Sequence, residues 1–396
     1  MIRKIFFLLH TPLTKRDYDR FGVDIFLARG FKVIFLDLTA MLHQGYAANI
    51  DGSQLSGYKE VVSVRKPKDA IVFLKNNLGA FGISLNNATA ATAFLYRAFR
   101  KYDISYAVFN TNDIPKPFVS VNKAVKLVKK LCNSADLKWI SNTLLRYSSL
   151  LPACLSGMQP PSFVFLGGFK AGRVFPAVNA DTVNVWAHTL DYDLYLEYVL
   201  RSSRFQVSTK YAVFLDEFFP LHPDFCVSES LKKPYGDYLQ YYREMNKIFD
   251  IIEDKLGVPV VIAAHPKSSY ENMPPMFADR QVIKGKTTDL VAGADYVLAH
   301  ASTSVNFAVL FNKPILFIMP NGVRGGYYED LIKGFAAEFL TSPADINSIK
   351  DIDFKQRNGI NRDAYLAYKE NYIKRKGTPE KYFWDVCLDA IEPALN

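Results

Sequence analysis

Short, almost wholly apolar runs alternate along this chain with longer stretches whose apolar residues recur at helical spacing. "KIFFLL" (4–9) is an apolar run of strand length, "RDYDRFGVDIFLARG" (16–30) has helical spacing and ends on a glycine, and "KVIFLDL" (32–38) is a second strand. Two strands joined by a helix make a βαβ unit, because parallel strands need a crossover between them. The alternation continues through "EVVSV" (60–64), "AFGISL" (80–85), the helix "ATAATAFLYRAFRKY" (88–102) and "SYAVFN" (105–110). A helix is predicted over about 118–132, followed by strands at "PSFVFLGG" (161–168) and "TVNVWAH" (182–188). The Ser/Leu/Pro-mixed stretch between about 133 and 160 has no clear period.

A second α/β block opens with "YAVFLDEFFPLHPDF" (211–225), a strand running into a proline-bounded loop. It continues with a helix over about 235–256, the strands "PVVIAAH" (259–265) and "DYVLAH" (295–300), a short helix at 304–311 and the strand "PILFI" (314–318). "RDAYLAYKENYIKRKG" and "PEKYFWDVCLDAIEPAL" read as two closing helices. The expected fold is therefore α/β, with two Rossmann-like doubly wound domains: 1–205, 206–350, and C-terminal helices over 351–396 that pack back on the first domain. Ligands of open α/β sheets collect outside the carboxyl ends of strands, so two facing halves predict a cleft between the domains.

Composition narrows the class. At 396 residues the chain is long for a single core, and 49% hydrophobic residues describe a globular protein with no disordered signature. Four cysteines (Cys132, Cys154, Cys226, Cys387) lie far apart with no CxxC, which argues against a disulfide framework or a cysteine metal site and fits a reducing cytoplasm. The apolar run after "MIRK" is too short for a signal sequence or a membrane span. The formal net charge of +9 favours an anionic partner: a phosphorylated small molecule, an anionic membrane face or nucleic acid. With no zinc-ligand spacing, RNP motif or long basic arm, no nucleic-acid partner is expected. The sequence places the protein in the cytoplasm, with peripheral contact to the inner membrane open.

Two strand ends in the second block carry the chemistry. One is His265-Pro266-Lys267-Ser268-Ser269 after "VVIAA"; the other is "AHASTSVNFAVLFNKP" (299–314). In the second, a strand ends at His300 and a Ser302-Thr303-Ser304 turn opens a short helix, so hydroxyls and helix N-terminal N–H groups would together face an anion. Taken singly, Ser304 is also an ordinary N-cap and His265-Pro266 an ordinary turn. Upstream, Asp216 ends a strand with Glu217 beside it. A carboxylate near a phosphate site repels the phosphate, which suggests a catalytic group; a loop cap or an ion-pair partner is the alternative.

The "HPK" corner followed by "STSVNFAVLFNKP" resembles the donor-binding half of GT-B glycosyltransferases of bacterial surface-polysaccharide assembly. Within them it is similar to the group that uses CMP-activated 2-keto sugar acids, and nearest to the retaining β-Kdo transferases of O-antigen and capsule assembly. That resemblance covers about residues 211–320 and implies a donor site of His265, Pro266, Lys267, Ser268, Ser302, Thr303, Ser304 and Asn306. It further implies Asp216 as a nucleophile that forms a glycosyl adduct, with Glu217 in that role if the register moves by one, and His265 stabilising the departing CMP. The acceptor implied is a sugar hydroxyl of a lipid-linked oligosaccharide. No cofactor and no metal are expected, since His and Lys supply the phosphate's counter-charge and the donor half has no DxD-like cluster. An inverting sialic or nonulosonic acid transferase, a CDP-glycerol-type polyol-phosphate transferase and a non-catalytic sugar-nucleotide-binding subunit remain as alternatives.

In the first block, loops after strands bring His10, Lys15 and Arg16 ("LHTPLTKR") and His188 and Asp191 ("WAHTLD") as acceptor-side candidates, a base being sought between His188 and Asp191. His10 and Arg16 also suit an ordinary solvated loop. The mixed basic and aromatic "YKENYIKRKG" reads as a solvated face over an aromatic packing stripe or as a contact for an acidic lipid surface.

Overall fold

The computed structural model describes residues 3–43, 60–85, 89, 91–111, 113–115, 157–173, 179–202, 205, 207, 209–222, 237–354 and 359–395. These residues form two compact units. The first takes those of Met1–Thr111, Val121–Leu190 and Arg375–Asn396; the second takes those of Asn112–Ser120 and Asp191–Lys374. The helix predicted over 118–132 lies outside the described residues.

The first unit holds a seven-stranded parallel sheet: β1 (Arg3–Leu9), β2 (Phe31–Asp37), β3 (Val61–Ser63), β4 (Phe81–Ser84), β5 (Tyr106–Asn110), β6 (Phe163–Leu166) and β7 (Val183–Trp186), in the order β3-β2-β1-β4-β5-β6-β7. The central strands are apolar over most of their length because both their faces are covered. Along β1, Ile5, Phe7 and Leu9 enter one core with Trp384, while Phe6 and Leu8 enter the opposite core with Tyr96 and Phe99.

The predicted helix over 16–30 divides into Lys15–Arg20 and Val23–Ala28. The break falls at Gly22, whose φ is +60° and whose missing Cβ makes room for Trp384: a Cβ there would lie 2.4 Å from Trp384 Cδ1. Periodicity could not signal this, since the cause sits 362 residues downstream. Trp384, in the helix Phe383–Ile391, is 1% exposed, donates Nε1–H to the Arg20 carbonyl (2.9 Å) and stacks on Phe109 at 5.6 Å. Arg29 grips the same helix through Asp385 (2.7 Å) and Asp389 (2.8 Å).

The second unit has a five-stranded parallel sheet: β8 (Ala212–Leu215), β9 (Val260–Ala264), β10 (Val282–Lys284), β11 (Tyr296–Ala299) and β12 (Ile315–Phe317), ordered β10-β9-β8-β11-β12. The helix Tyr238–Leu256 starts on an Asp237 cap and stops at Gly257 in the left-handed region (φ +65°), as its sequence signals. β10 and the helices Pro67–Asn76, Thr287–Gly293 and Tyr327–Glu338 were not predicted, although Ala70, Phe73 and Leu74 and again Leu331, Ile332 and Phe335 recur at helical spacing.

Packing changes over at Leu190/Asp191 and at Lys374/Arg375, against the boundaries expected at 205/206 and 350/351. The reason is apolar. Tyr192, Leu194 and Leu196 of the helix Leu190–Leu200, and Tyr365, Tyr368 and Tyr372 near the other boundary, all belong to the second core. The fold class is α/β, with two Rossmann-like doubly wound domains. Among the described residues no helix is long and apolar enough to cross a membrane.

Candidate functional site

Numbered from β8, the second sheet runs 3-2-1-4-5, so its strand order reverses between β8 and β11. In open α/β sheets the crevice at the carboxyl ends beside such a reversal is where ligands bind. Here the carboxyl ends of β8, β9 and β11 supply Asp216 and Glu217, His265, and the 300–304 turn.

Asp216 is 4% exposed, and both of its oxygens are engaged. Oδ1 accepts from the Phe218 N–H (2.9 Å) and the Tyr270 hydroxyl (3.1 Å), and Oδ2 accepts from the His265 N–H (3.1 Å). Burial raises its pKa to about 6, against the lowering effect of those donors. The turn it holds places Phe218 at φ +51°, a strained conformation for a non-glycine residue. Tyr270 was not predicted, and no sequence pattern marks it. Because its proton goes to Asp216, Tyr242 must donate to its oxygen in the 3.2 Å Tyr242–Tyr270 contact, giving a relay of hydroxyls that ends on the carboxylate.

Glu217 is half-buried, and its Oε1 accepts the Ala301 N–H at 2.8 Å. Burial, and then the neighbouring Asp216 charge, push its pKa up to about 7. Two adjacent carboxylates thus differ in setting: one enclosed under three donors, the other holding one backbone donor at the switch point.

His265 Nδ1 accepts from the Lys267 N–H (3.2 Å), which puts the proton of the neutral ring on Nε2. Its ring meets His222 edge-to-face at 4.7 Å between centroids. Pro266 and Lys267 are exposed. Ser268 is 3% exposed, and its hydroxyl has no hydrogen-bond partner among the described residues.

Across the switch point the predicted anion cradle takes a different form. The helix Val305–Leu310 is short, and its Ser304 cap makes no side-chain cap bond. The N–H groups of Val305, Asn306 and Phe307 are already used by the carbonyls of Ser302, Thr303 and Ser304, at 3.2, 3.0 and 3.0 Å. Ser302 Oγ accepts from the Ser304 N–H (3.2 Å). The expected helix-terminal donors are therefore spent, because the chain enters the helix through i→i−3 bonds. Thr303 remains exposed. Asn306 is 5% exposed and donates to Asp191 Oδ2 (3.0 Å), so it anchors the helix Leu190–Leu200. Asp191 is correspondingly placed in the second unit.

His188 is enclosed in the first unit. It is 0% exposed, with Nδ1 2.9 Å from the Thr189 carbonyl and Nε2 2.8 Å from that of Lys381. A neutral imidazole has one N–H to give to these two carbonyls, and the Lys381 contact joins the end of β7 to the C-terminal segment. His10, Lys15 and Arg16 are exposed, with Lys15 paired to Asp19 across one helical turn. His300, by contrast, is a core histidine: Nδ1 meets the Ile318 carbonyl (2.7 Å), Nε2 meets the Tyr241 hydroxyl (2.9 Å), and burial lowers its pKa to about 4. Among the described residues no three His, Cys, Asp or Glu side chains gather as a metal site would require.

No protein-family profile and no curated protein matches the chain. Solved structures do. The wall teichoic acid polymerase TagF, in a crystal soaked with CDPG, is similar over 99% of this chain and 88% of that one, with TM-score 0.54 and 10% identity. The glycosyltransferase SnogD from Streptomyces nogalater aligns over 100% of both chains with TM-score 0.49 and 10% identity. The UDP-GlcNAc 2-epimerase from Methanocaldococcus jannaschii aligns over 98% and 99%, with TM-score 0.45 and 8% identity. At such identities the likeness to TagF speaks for the fold, which is GT-B-like.

Proposed function

We propose that this chain is a glycosyltransferase that takes a CMP-activated 2-keto sugar acid, Kdo being the preferred sugar, and passes it to a hydroxyl of a lipid-linked glycan. The single observation that carries the reading is the convergence of Glu217, His265 and the Ser302–Thr303 turn on the carboxyl ends of three adjacent strands at a switch point. His265 and Lys267 supply directed and charged donors to the phosphate. Stabilising the charge that develops on departing CMP is what this chemistry most requires. The net charge of +9 suits an anionic donor and a lipid surface of the same sign as the donor.

The two carboxylates divide the work. Asp216, enclosed under three donors, positions His265 and Tyr270. Glu217, with a pKa near neutrality, is matched to general-base work: it takes the proton of the acceptor hydroxyl as that oxygen attacks the anomeric carbon and the carbon–phosphate-oxygen bond breaks toward CMP. This is a single displacement with inversion.

A second reading is the two-step route through a glycosyl ester on Asp216, favoured by the strained Phe218 that holds this carboxylate at the strand end. One experiment separates them. The protein is incubated with CMP-Kdo, CMP-sialic acid and CDP-glycerol in turn, each with and without a lipid-linked oligosaccharide extract as acceptor, and CMP release and intact mass are followed. Release from CMP-Kdo without an adduct supports the single displacement. An adduct of sugar mass that disappears in Asp216→Asn establishes the two-step route. Turnover of CDP-glycerol alone assigns phosphoryl transfer, and no release from either CMP donor overturns the proposal.

A further inference from the structure

The first unit carries an exposed aromatic stack that the donor chemistry leaves unused. Leu166 and Trp186 are register partners at the ends of β6 and β7, and the turn Phe169–Arg173 follows β6 directly. Phe169 stacks on Trp186, with ring centroids 6.4 Å apart and an interplanar angle of 11°. The guanidinium carbon of Arg375 sits 4.6 Å from the centroid of the Trp186 ring. Phe169 is nevertheless 49% exposed, and Arg375 is exposed as well.

This exposure is built in. Gly167 lies so close to β5 that a Cβ there would come within 2.7 Å of the Thr111 carbonyl, and Asn110 Nδ2 donates to the Ala171 carbonyl at 2.5 Å. The backbone of the turn is thus held close on both sides of Phe169, and the ring itself is held by its stack on Trp186. A pinned turn that holds an aromatic ring in water, next to a guanidinium, spends stability on a surface.

We propose that Phe169, Trp186 and Arg375 form a binding platform for an anionic oligosaccharide. The ring faces are electron-rich and receive the C–H face of a pyranose, and the planar guanidinium takes a carboxylate through paired N–H donors. A neutral glycan satisfies the rings only, and a bare anion satisfies Arg375 only. Reading the platform as the acceptor's rests on the proposed glycosyl transfer; its glycan binding does not.

Binding is measured on the full chain, with no nucleotide present, by fluorescence anisotropy of end-labelled hexamers of galacturonic acid and of maltose-type glucose. The galacturonate hexamer is expected to bind at least tenfold more tightly than the neutral one. Phe169→Ala is expected to weaken it about tenfold, and Arg375→Gln to bring it to the level of the neutral hexamer, with circular dichroism confirming that both variants fold. Lys68→Gln, an exposed charge on the helix Pro67–Asn76 of the same unit, is expected to change nothing. The platform is overturned if the two hexamers bind alike, if Phe169→Ala binds like the parent, or if Lys68→Gln costs as much as Arg375→Gln, which would mark diffuse charge attraction. Failure of the donor reading shows elsewhere, as absent CMP release when a CMP donor and a lipid-linked glycan acceptor are supplied together.

Discussion

The backbone N–H of Ala301 donates to Glu217 Oε1 at 2.8 Å, bonding the end of β8 to the end of β11 where the strand order of the second sheet reverses. A half-buried carboxylate is thereby held at the position where an open α/β sheet receives its ligand. Its single backbone donor leaves room for a second partner, whereas the adjacent Asp216 is fully engaged.

Glu217→Gln separates activity from stability. Removing a general base is expected to lower turnover by about 10²–10⁴-fold. The folded pKa of about 7 lies above the ordinary 4.5, so the fold favours the neutral acid. That contribution is complete below pH 4.5 and is lost as pH rises through 7. The variant, always neutral, should match the parent near pH 4.5 and melt higher at pH 8. Calorimetry at the two pH values, with CMP release assayed alongside, measures both; equal melting at pH 8 would mean Glu217 is not desolvated.

Asp216→Ala orphans one buried donor, the Phe218 N–H, at a cost of roughly 1–3 kcal/mol, and two part-buried ones from His265 and Tyr270 at less. Removing a desolvated charge returns part of that. A net loss of roughly 2–4 kcal/mol at pH 7 is expected in urea unfolding, together with loss of CMP release as His265 comes free. Unchanged stability would show that Asp216 does not hold the two strand ends together.

His300 works in the opposite direction on acidification. Burial depresses its folded pKa to about 4 from an ordinary 6.5, so its contribution is present above 6.5 and is lost as pH falls through 4. Glutamine can keep both bonds, donating to Ile318 and accepting from Tyr241, without titrating. His300→Gln should therefore lose less stability than the parent between pH 6.5 and 4, read as the difference between their melting curves.

Gly22→Ala tests the junction between the first sheet and the C-terminal helix. The new Cβ meets Trp384 at 2.4 Å on a backbone with φ +60°, so strain and overpacking add to roughly 2–4 kcal/mol. The expected signs are an earlier unfolding transition and faster proteolysis within 375–396. Trp384→Ala in the same background should recover little, because it removes the indole that fills the core.

Much of the architecture was legible because period is a local property. The runs around β1, β2, β8, β9 and β11 stood out as strands, since strands covered on both faces must be apolar at most positions. β10 (Val282–Lys284) escaped notice, being short and half-exposed at a sheet edge. Among the site residues, the sequence marked Asp216, Glu217 and His265 as polar breaks at strand ends, and the structure brings all three to one side of the reversal. It gave no sign of Tyr270, whose hydroxyl reaches Asp216 from 54 residues away. Nor did it show that His188 and Asn306 are enclosed and bonded to distant residues, Lys381 and Asp191.

Alternation of apolar strands with helices, a cationic surface and two polar strand ends in the second half are properties of consecutive residues, and the chain by itself determined them. Tertiary structure alone decided which carboxylate is enclosed and which is offered, where the helix over 16–30 breaks, and which helix-start N–H groups are already spent. Each of these depends on a partner distant in sequence: His265 and Tyr270 for Asp216, Ala301 for Glu217, Trp384 for Gly22. Hydrogen bonding, desolvation and excluded volume act between atoms in space, and hydrophobic period carries no record of which distant residues they will join.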